Sequence, residues 1–414
     1  MKIASSVPSG LFHSGFPVSL YIHVPFCVSK CDYCAFYSLP ACRWDGGGSS
    51  LRTAYVERMA REIESCALAL GRPFETVFFG GGNPGCLRSN ELSRLLEAAC
   101  LFGRPGECTV EMNPESLDMS FLPVLGRYAD RLSMGVQSLD AQVLSALGRN
   151  TSLSRVVGGI GNAVELRRRY GVKLSFDLMT CVPGQDEASA LNDIDSLVAT
   201  AEPEHLSLYC LSVEEGTPLA MRAHELEEWD QTRMLLACWQ RLSLLGYEHY
   251  EVSNFAQKGN RCLHNSRYWA LEQYVGLGPA AAGTAFCEEG IVRWGCPADV
   301  VAYCAGRPFS GYRHEFLSKE EELEEYLLVA LRVKEGINFD AFATRFGFSF
   351  GELLDSECLR TLTDGSYVVG TTSFACTENG WMVLDDLVLR LALAADRVRH
   401  SKNGDCPVEP PVAP

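Results

Sequence analysis

Residues 21–38 read YIHVPFCVSKCDYCAFYS and place Cys27, Cys31 and Cys34 within eight residues. The spacing CxxxCxxC allows one loop to wrap a single inorganic centre, and thiolates are ligands of both zinc and iron–sulfur clusters. A zinc ion would need a fourth ligand, which His23 or a distant cysteine could supply. A [4Fe–4S] cluster held by three cysteines would instead keep one iron open for a small molecule. We favour the cluster, because structural zinc sites usually pair C-x-x-C units.

Six short apolar runs with the character of β-strands recur along the first half of the chain. They begin at Ser19, Thr76, Cys108, Arg131, Lys173 and His205. Segments with helical periodicity lie between them, for example AYVERMAREIESCALAL from Ala54. Strands that alternate with helices indicate a parallel sheet with crossover helices. We therefore predict an α/β fold in the form of a partial (β/α)6 TIM-like barrel. The alternative α/β architecture is a doubly wound sheet.

The ends of these runs favour the barrel, because barrel enzymes build their sites from the carboxyl ends of several strands. The residues found there are the three cysteines, Gly81, Gly82, Asn83, Glu111, Gln137, Asp177 and Tyr209. Glycines let a backbone approach a ligand closely, and Glu111 could accept hydrogen bonds from hydroxyl or amino groups. Arg149 could hold a carboxylate. The alternative is that strands simply end at such residues. The recurrence of these residues at all six strand ends favours a binding site.

Composition and pattern divide the chain into five expected segments. These are a flexible N-terminus (1–15), the barrel (16–250), an irregular connecting region (251–310), a winged-helix-like α+β domain (311–396) and a disordered tail (397–414). In the fourth segment the amphipathic run EEELEEYLLVALRV and two further helices precede the hairpin SYVVGTTSFACT and a last helix. Acidic residues outnumber basic ones there, which favours a packing or substrate-covering role over DNA binding.

The overall composition excludes several classes of partner. The formal net charge of −16 argues against nucleic acid and against an anionic membrane surface. We expect no transmembrane segment and no secretion signal, and hence a cytoplasmic protein. Most of the 18 cysteines, such as Cys66, Cys100 and Cys238, lie in apolar helical patterns and are expected to be buried thiols.

The cysteine motif after a first barrel strand, followed by a glycine-rich second strand end, resembles the radical S-adenosylmethionine (SAM) superfamily. The resemblance implies that the open iron of a [4Fe–4S] cluster is chelated by the amino and carboxylate groups of SAM. It also implies that an electron from the cluster cleaves the sulfonium to give a 5′-deoxyadenosyl radical. The fourth ligand of the cluster would then be SAM itself.

A narrower resemblance covers nearly the whole chain. SLYIHVPFC, FFGGGNP, EMNPES, RLSMGVQSLD, FDLMTCVPGQ, HLSLYCLSVEEGTPL and GYEHYEVSNFA are similar to the oxygen-independent coproporphyrinogen III oxidase-like group. The oxidases carry a fourth cysteine two residues after the third, where this chain has Phe36. The pattern CxxxCxxCxF and the segment HNSRYW at 264–269 resemble the HemW-type heme chaperones. That resemblance implies heme binding, client hemoproteins and an electron donor such as a flavodoxin or ferredoxin.

The resemblance also implies which residues form each site. The implied cluster ligands are Cys27, Cys31 and Cys34; the implied SAM contacts are Tyr21, Phe36, Gly81, Gly82, Asn83, Glu111, Gln137, Arg149 and Asp177; the implied heme contacts are His264, Asn265, Tyr268 and Trp269. From the residues alone, an imidazole is a good axial ligand and aromatic rings stack on porphyrins. A buried core histidine remains the alternative for His264, and Cys262 is an alternative thiolate ligand.

Several positions depart from the family pattern. Asn83 stands where GGGTP has threonine, residues 181–185 read CVPGQ in place of GLPGQ, and Ala282 replaces a histidine. The alternative functions are a coproporphyrinogen III dehydrogenase that performs radical oxidative decarboxylation, or a radical SAM enzyme acting on another substrate. A zinc-stabilised structural protein is a further alternative.

Overall fold

The computed structural model describes residues 15–41, 50–225, 231–287, 290–354 and 365–403. The chain forms two compact units. The first comprises Met1–His249, Ser253–Arg267 and Glu272–Phe316, and the second comprises Tyr250–Val252, Tyr268–Leu271 and Leu317–Pro414. The expected flexible segment 1–15 lies outside the described residues except for its last position.

The strands in chain order are β1 (Ser19–Val24), β2 (Phe26–Cys27), β3 (Leu39–Pro40), β4 (Thr76–Gly81), β5 (Glu107–Met112), β6 (Arg131–Gln137), β7 (Lys173–Thr180), β8 (His205–Cys210), β9 (Glu248–Glu251), β10 (Asn254–Ala256), β11 (Tyr274–Leu277), β12 (Ala282–Cys287), β13 (Gly290–Gly295), β14 (Arg313–Leu317), β15 (Ile337–Asn338), β16 (Tyr367–Val369) and β17 (Ser373–Cys376). The helices are α1 (Ser50–Leu70), α2 (Ser89–Ala99), α3 (Leu122–Tyr128), α4 (Ala141–Ala146), α5 (Leu153–Tyr170), α6 (Glu187–Ala201), α7 (Gln231–Leu244), α8 (Leu263–Trp269), α9 (Val300–Ala305), α10 (Lys319–Ala330), α11 (Phe339–Phe346), α12 (Gly351–Leu354), α13 (Glu378–Trp381) and α14 (Leu384–Asn403).

The six strands predicted from sequence are all present and lie side by side. They follow the order β1-β4-β5-β6-β7-β8, and each neighbouring pair is parallel. Their residues are buried almost throughout, as expected for parallel strands that helices cover. The predicted parallel α/β architecture is therefore confirmed, and all six carboxyl ends lie at one edge of the sheet.

The helices between the strands bury the apolar faces that their periodicity predicts. In α2, Leu92, Leu95 and Leu96 are buried at helical spacing. Helix α5 ends at Gly171, whose φ of 73° gives the left-handed cap that glycine adopts without strain. Each helix thus returns the chain to the amino end of the next strand.

The connecting region 251–310 is more regular than the sequence indicated. It adds β11 parallel to β1, followed by the antiparallel strands β12 and β13. On the other side, β10 pairs antiparallel with β8. The sheet therefore continues beyond the predicted six strands, because these short apolar strands complete its edges.

The second unit contains α10 to α14 and the sheet β15-β17-β16. The predicted hairpin is formed by β16 and β17, and Phe342, Phe350 and Phe374 are fully buried. The main body of this unit begins at Leu317, whereas the sequence placed its start at 311. Helix α14 extends to Asn403, so residues 397–403 are helical and the prediction of a disordered tail is wrong there. Residues 404–414 lie outside the described residues.

Candidate cofactor site at the carboxyl ends of the strands

A cavity of about 330 Å³ lies at the carboxyl ends of the parallel strands. It is lined by Cys27, Ser29, Lys30, Cys31, Tyr33, Cys34, Phe36, Ser38, Gly81, Gly82, Asn83, Glu111, Met112, Asn113, Gly135, Gln137, Arg149, Asp177, Met179 and Tyr209. All three cysteines and every predicted SAM contact except Tyr21 are among these residues. The structure thus brings together side chains that are as far apart in sequence as Cys27 and Tyr209.

The cysteine loop is held in place mainly by backbone hydrogen bonds. Leu39 donates to the carbonyl of Pro25 at 2.7 Å, which closes the loop at its base. Asp32, between two of the cysteines, donates its N–H to Leu147 O at 3.0 Å and accepts from Leu219 N at 2.9 Å. Its carboxylate also pairs with Arg222 at 2.6 Å. The loop is therefore positioned before any ligand binds.

None of the three cysteines is in a disulfide, and burial shifts the pKa values of their thiols upward. The pKa of Cys27 is raised to about 11, mainly by burial, and burial also raises the pKa of Cys31 and of Cys34. Within the described residues, no group of three or more His, Cys, Asp or Glu side chains is arranged to hold a single metal ion. A cubane cluster is wider than one ion, and three thiols around a cavity match its ligand chemistry. Binding would release their protons.

Opposite the thiols, two carboxylates and a guanidinium line the cavity. Burial, followed by the charge of Asp177, raises the pKa of Glu111 to about 8. Burial raises the pKa of Asp177 to about 6, against the opposing effects of Ser207 and Arg149. Arg149 forms an ion pair with Glu115 at 3.5 Å, yet its buried Nε has no hydrogen-bond partner. This set fits an α-amino acid group, whose carboxylate would pair with Arg149 and whose ammonium would pair with Glu111.

The glycine run is shaped by the neighbouring side chains as well as by the cavity. Gly81 has a φ of +106°, and a Cβ there would lie 2.7 Å from His23 Nδ1. A Cβ on Gly82 would lie 2.7 Å from Phe26 O. Both positions therefore require glycine, because the second strand end packs directly against the first.

Asn83 and Gln137 line the cavity in different ways. Asn83 Oδ1 accepts from Gly85 N at 2.9 Å and from Asn113 N at 3.2 Å, and Asn83 Nδ2 donates to Ser116 at 2.8 Å. The asparagine thus joins two strand-end loops, a role that its amide serves in place of the family's threonine. Gln137 has a φ of 68° at a register shift between β6 and β7. A β-bulge of this kind re-aims a side chain, here into the cavity.

Tyr21 is the one predicted SAM contact that the described structure does not place in the cavity lining. Its hydroxyl lies 3.2 Å from His23 Nδ1, and His23 Nε2 lies 2.8 Å from Tyr37 O. Both ring nitrogens of His23 are therefore engaged within the protein. The zinc alternative with His23 as fourth ligand is accordingly not supported, and Tyr21 and His23 instead connect the first strand to the end of the cysteine loop.

Sequence reasoning assigned no ligand-binding role to several residues that line the cavity. Met112, Asn113 and Met179 lie at or after strand ends, and Gly135 precedes the bulge. Ser38 and Lys30 come from the cysteine loop itself. Tyr209 had been noted at the sixth strand end without a role. Their shared signal is position, since each lies within a few residues of a carboxyl strand end or a cluster cysteine.

The HNSRYW segment lies on α8, away from this cavity. The ring of His264 is 1% exposed, and its Nδ1 lies 2.7 Å from Thr76 Oγ1, at the first residue of β4. Thr76 in turn donates to Ser19 at the first residue of β1. Burial, with a contribution from Arg267, lowers the pKa of His264 to about 3. His264 is therefore a neutral core residue at the amino ends of the strands in this structure, and the predicted heme ligation would require α8 to move.

The other predicted heme contacts show no open porphyrin site in the described residues. Asn265 is half-buried on the same helix, and Tyr268 and Trp269 belong to the second unit. Trp269 Nε1 is buried without a hydrogen-bond partner, and the Arg332 guanidinium lies 5.8 Å from the indole ring centroid. Cys262 is 3% exposed, and burial raises its pKa to about 12, so it stays a thiol.

The fold and the three-cysteine cavity define a radical SAM protein. The family model of the Radical SAM superfamily matches residues 21–197, and that of the HemN C-terminal domain matches residues 317–383. Among solved structures, the chain is similar to the Escherichia coli coproporphyrinogen III oxidase HemN, a radical SAM enzyme. The TM-score is 0.74 and the identity 19%, with 91% of this chain and 90% of that chain covered. At that identity the likeness shows a shared fold.

More similar relatives give the particular family. The heme chaperone HemW of Lactococcus lactis is 31% identical, covering 81% of this chain and 87% of that protein. The HemW of Escherichia coli is 32% identical, covering 66% and 72%. The bovine radical S-adenosyl methionine domain-containing protein 1, mitochondrial, is 30% identical, covering 90% and 87%. The chain belongs to the HemW family of heme chaperones.

Proposed function

We propose that this protein binds a [4Fe–4S] cluster, SAM and heme, and that it delivers heme to hemoproteins. The single observation that carries the cofactor part is the cavity in which three thiols face Glu111, Asp177 and Arg149. Membership of the HemW family supports the heme part. The proposal that Phe36 distinguishes this site from an oxidase site is supported by its position, exposed on the cavity rim.

Each residue of the cavity has a specific role in this proposal. Cys27, Cys31 and Cys34 ligate three irons as thiolates, after losing the protons that burial favours in the free protein. Arg149 holds the carboxylate of SAM through its unpartnered Nε. Glu111 accepts from the SAM ammonium and so becomes ionised on binding. When bound, the cluster supplies an open iron and an electron.

The other two carboxyl-end features hold this arrangement in place. Asn83 joins the loops after β4 and β5 through its three hydrogen bonds, which keeps Gly82 beside the cysteine loop. Gln137 projects from its bulge into the cavity, where it can donate to or accept from the cofactor. These contacts pre-organise the site, so little ordering remains to be done when SAM binds.

The proposed partners are heme, client hemoproteins and an electron donor such as a flavodoxin or ferredoxin. None of the described helices combines the length and apolar character needed to cross a bilayer. A cytoplasmic location is part of the proposal. Because the bovine relative is named as mitochondrial, cell fractionation is the test of this location.

The experiment is an anaerobic hemin titration of the reconstituted protein, followed by the Soret band. We expect saturation near one heme per chain. The titration is repeated with His264→Ala and with His314→Ala, a matched control at an exposed histidine of β14. Loss of saturable binding in His264→Ala alone would show that α8 opens to expose the histidine. Equal binding by all three proteins would place the heme ligand elsewhere.

A second assay separates the chaperone from the oxidase. The reconstituted protein is incubated with coproporphyrinogen III, SAM and a strong reductant without oxygen, and carbon dioxide is measured. We expect no release above that of the protein without SAM. Stoichiometric carbon dioxide combined with absent saturable hemin binding would overturn the chaperone proposal.

A further inference from the structure

Two cysteines outside the CxxxCxxC motif lie at the carboxyl ends of neighbouring strands, Cys181 just after β7 and Cys210 at the last residue of β8. Strands β7 and β8 are parallel, with Thr180 opposite Cys210, and Leu211 N donates to Thr180 O at 2.9 Å. Cys181 follows Thr180 directly. Because paired strands run about 4.8 Å apart, Cys181 and Cys210 are within the range of backbone separations that a disulfide spans.

The backbone at Cys181 departs from the extended conformation of the strand that it follows. In a regular strand, Cys181 would project to the face opposite that of Thr180. Instead Cys181 has a φ of 62°, and its Sγ lies 4.0 Å from Thr180 Oγ1 and 3.6 Å from Gln231 O. The strand register makes Cys181 and Cys210 close neighbours across the β7–β8 pair, because Thr180, which precedes Cys181, lies opposite Cys210.

Cys181 occupies a position where the family pattern GLPGQ has glycine. Glycine suits a left-handed backbone, whereas a residue with a Cβ is strained there. Cys181 is therefore a strained left-handed residue that supplies a thiol close to Cys210. Packing alone does not require this sulfur, because a glycine would satisfy the same turn.

The electrostatics of the pair favour a reactive thiolate. The neighbouring Cys210 side chain lowers the pKa of Cys181, and Cys181 in turn raises the pKa of Cys210. A lowered thiol pKa beside a second thiol is typical of dithiol redox sites. Cys238 lies close by on α7, but it is 0% exposed and burial raises its pKa to about 12.

We propose that Cys181 and Cys210 form a thiol–disulfide exchange site that reacts with small-molecule disulfides and closes into an intramolecular disulfide. The thiolate of the pair attacks one sulfur of RSSR, forming a mixed disulfide and releasing RS⁻. The second thiol loses its proton and attacks the protein sulfur of that mixed disulfide, releasing the second RS⁻. The two cysteines are oxidised by two electrons, RSSR is reduced, and the two protons leave on two RSH.

The location makes the site adjacent to the cofactor cavity. Cys210 is half-buried, which gives a small reagent access to the pair. Tyr209, which precedes it, and Met179 on β7 both line the cavity. The proposal does not depend on heme binding or on the cluster.

The test uses the anaerobically reconstituted full-length protein with mixtures of oxidised and reduced glutathione. Samples are quenched in acid, unfolded, alkylated and analysed as peptides by mass spectrometry. We expect the Cys181–Cys210 peptide pair to exceed any other linked pair by about tenfold at intermediate ratios. Cys238 should stay reduced throughout, so that it is found alkylated after the quench, and it serves as the internal control.

Two variants extend the test to each sulfur. In Cys210→Ser, Cys181 should accumulate as a mixed disulfide with glutathione, because no resolving thiol remains. In Cys238→Ser, the Cys181–Cys210 link should form as in the parent protein. Complete alkylation of Cys181 and Cys210 at every ratio would overturn the proposal, as would random pairing that includes Cys238 equally. Because readout is by peptide, reduced cluster content in a variant does not obscure the result.

Discussion

The two ends of the same parallel strands differ sharply in how their polar groups are used. At the carboxyl ends, three thiols, a buried acid pair and an arginine with an unpartnered Nε surround a cavity. At the amino ends, Thr76 joins Ser19 to His264, and Arg131 pairs with Glu107 at 3.0 Å in the core. The carboxyl ends therefore present polar groups that can bind a ligand, whereas the polar groups named at the amino ends bind one another.

This difference shows why motif residues and site residues need not coincide. The cysteine loop and HNSRYW are comparably distinctive in sequence, yet only the cysteine loop borders the carboxyl-end cavity. In barrel folds, chemistry gathers at the carboxyl ends, while polar residues at the opposite end serve stability. We therefore expect substitutions at the carboxyl ends to affect cofactors and substitutions at the amino ends to affect stability.

The largest effect should come from Cys31→Ser. This variant should lose the cluster after anaerobic reconstitution, since one of the three thiolates is missing. Its unfolding free energy without cofactor should stay within about 0.5 kcal/mol of the parent, because Cys31 is only half-buried. Iron and sulfide analysis with urea unfolding measures both. Cys100→Ser is the matched control and should retain the cluster; full iron and sulfide in Cys31→Ser would refute the assignment.

For Glu107→Gln we expect a large loss of stability with the cluster retained. The change leaves the Arg131 guanidinium, which is 1% exposed, without its charged partner at 3.0 Å. Removing one partner of a buried pair costs about 3–5 kcal/mol, so urea unfolding should shift strongly while folded protein still binds the cluster. Glu165→Gln, in an exposed pair with Arg168, should leave the urea unfolding transition nearly unchanged, because solvent screens that pair. Equal effects of the two changes would contradict the contrast between the ends.

Glu111→Gln should lower the affinity for SAM and raise the stability of the folded protein at alkaline pH. The folded-state pKa of Glu111 is about 8, above its ordinary 4.5, so the unfolded chain ionises first as pH rises. Stability therefore falls between pH 4.5 and about 8, and the variant should exceed the parent by about 1–3 kcal/mol at pH 8.5 in the absence of SAM. Equilibrium dialysis should show SAM affinity reduced about tenfold.

The control for that prediction is Glu57→Gln, whose side chain is 63% exposed in its pair with Arg61. It should change neither the pH dependence nor the SAM affinity. A Glu111→Gln protein that is less stable than the parent at pH 8.5, with unchanged SAM binding, would show that this carboxylate is structural.

The smallest effect concerns His264. Its folded-state pKa is about 3 and its ordinary value 6.5, so the unfolded chain takes up the proton first as pH falls. The stability that the neutral ring contributes is complete above pH 6.5 and is lost below it. The fall in unfolding free energy from pH 7.5 to pH 5.5 should be about 1.4 kcal/mol smaller in His264→Gln than in the parent. His314→Gln, at an exposed histidine, should leave the fall unchanged.

Much of the fold and part of the site could be predicted because their signals are local. Apolar runs separated by amphipathic helices gave the six parallel strands, and the cysteine spacing and strand-end polar residues gave most of the cavity. The added strands of 251–310 were missed, because β11 and its neighbours are short and lie among aromatic residues without clear alternation. The helical continuation to Asn403 was missed because the polar residues there have no apolar periodicity.

The parallel strands, the three-cysteine motif and the family could be predicted from the linear chain, since spacing, periodicity and motif are local properties. Which polar residues line the cavity depends on the tertiary fold. Asn83 links two strand-end loops, the Tyr21 hydroxyl lies beside His23, and His264 packs against β4. The register of strands as distant in sequence as β1 and β11 determines which side chains meet, and Cys181 comes near Cys210 for the same reason. Such contacts depend on the whole sheet, which no short segment specifies.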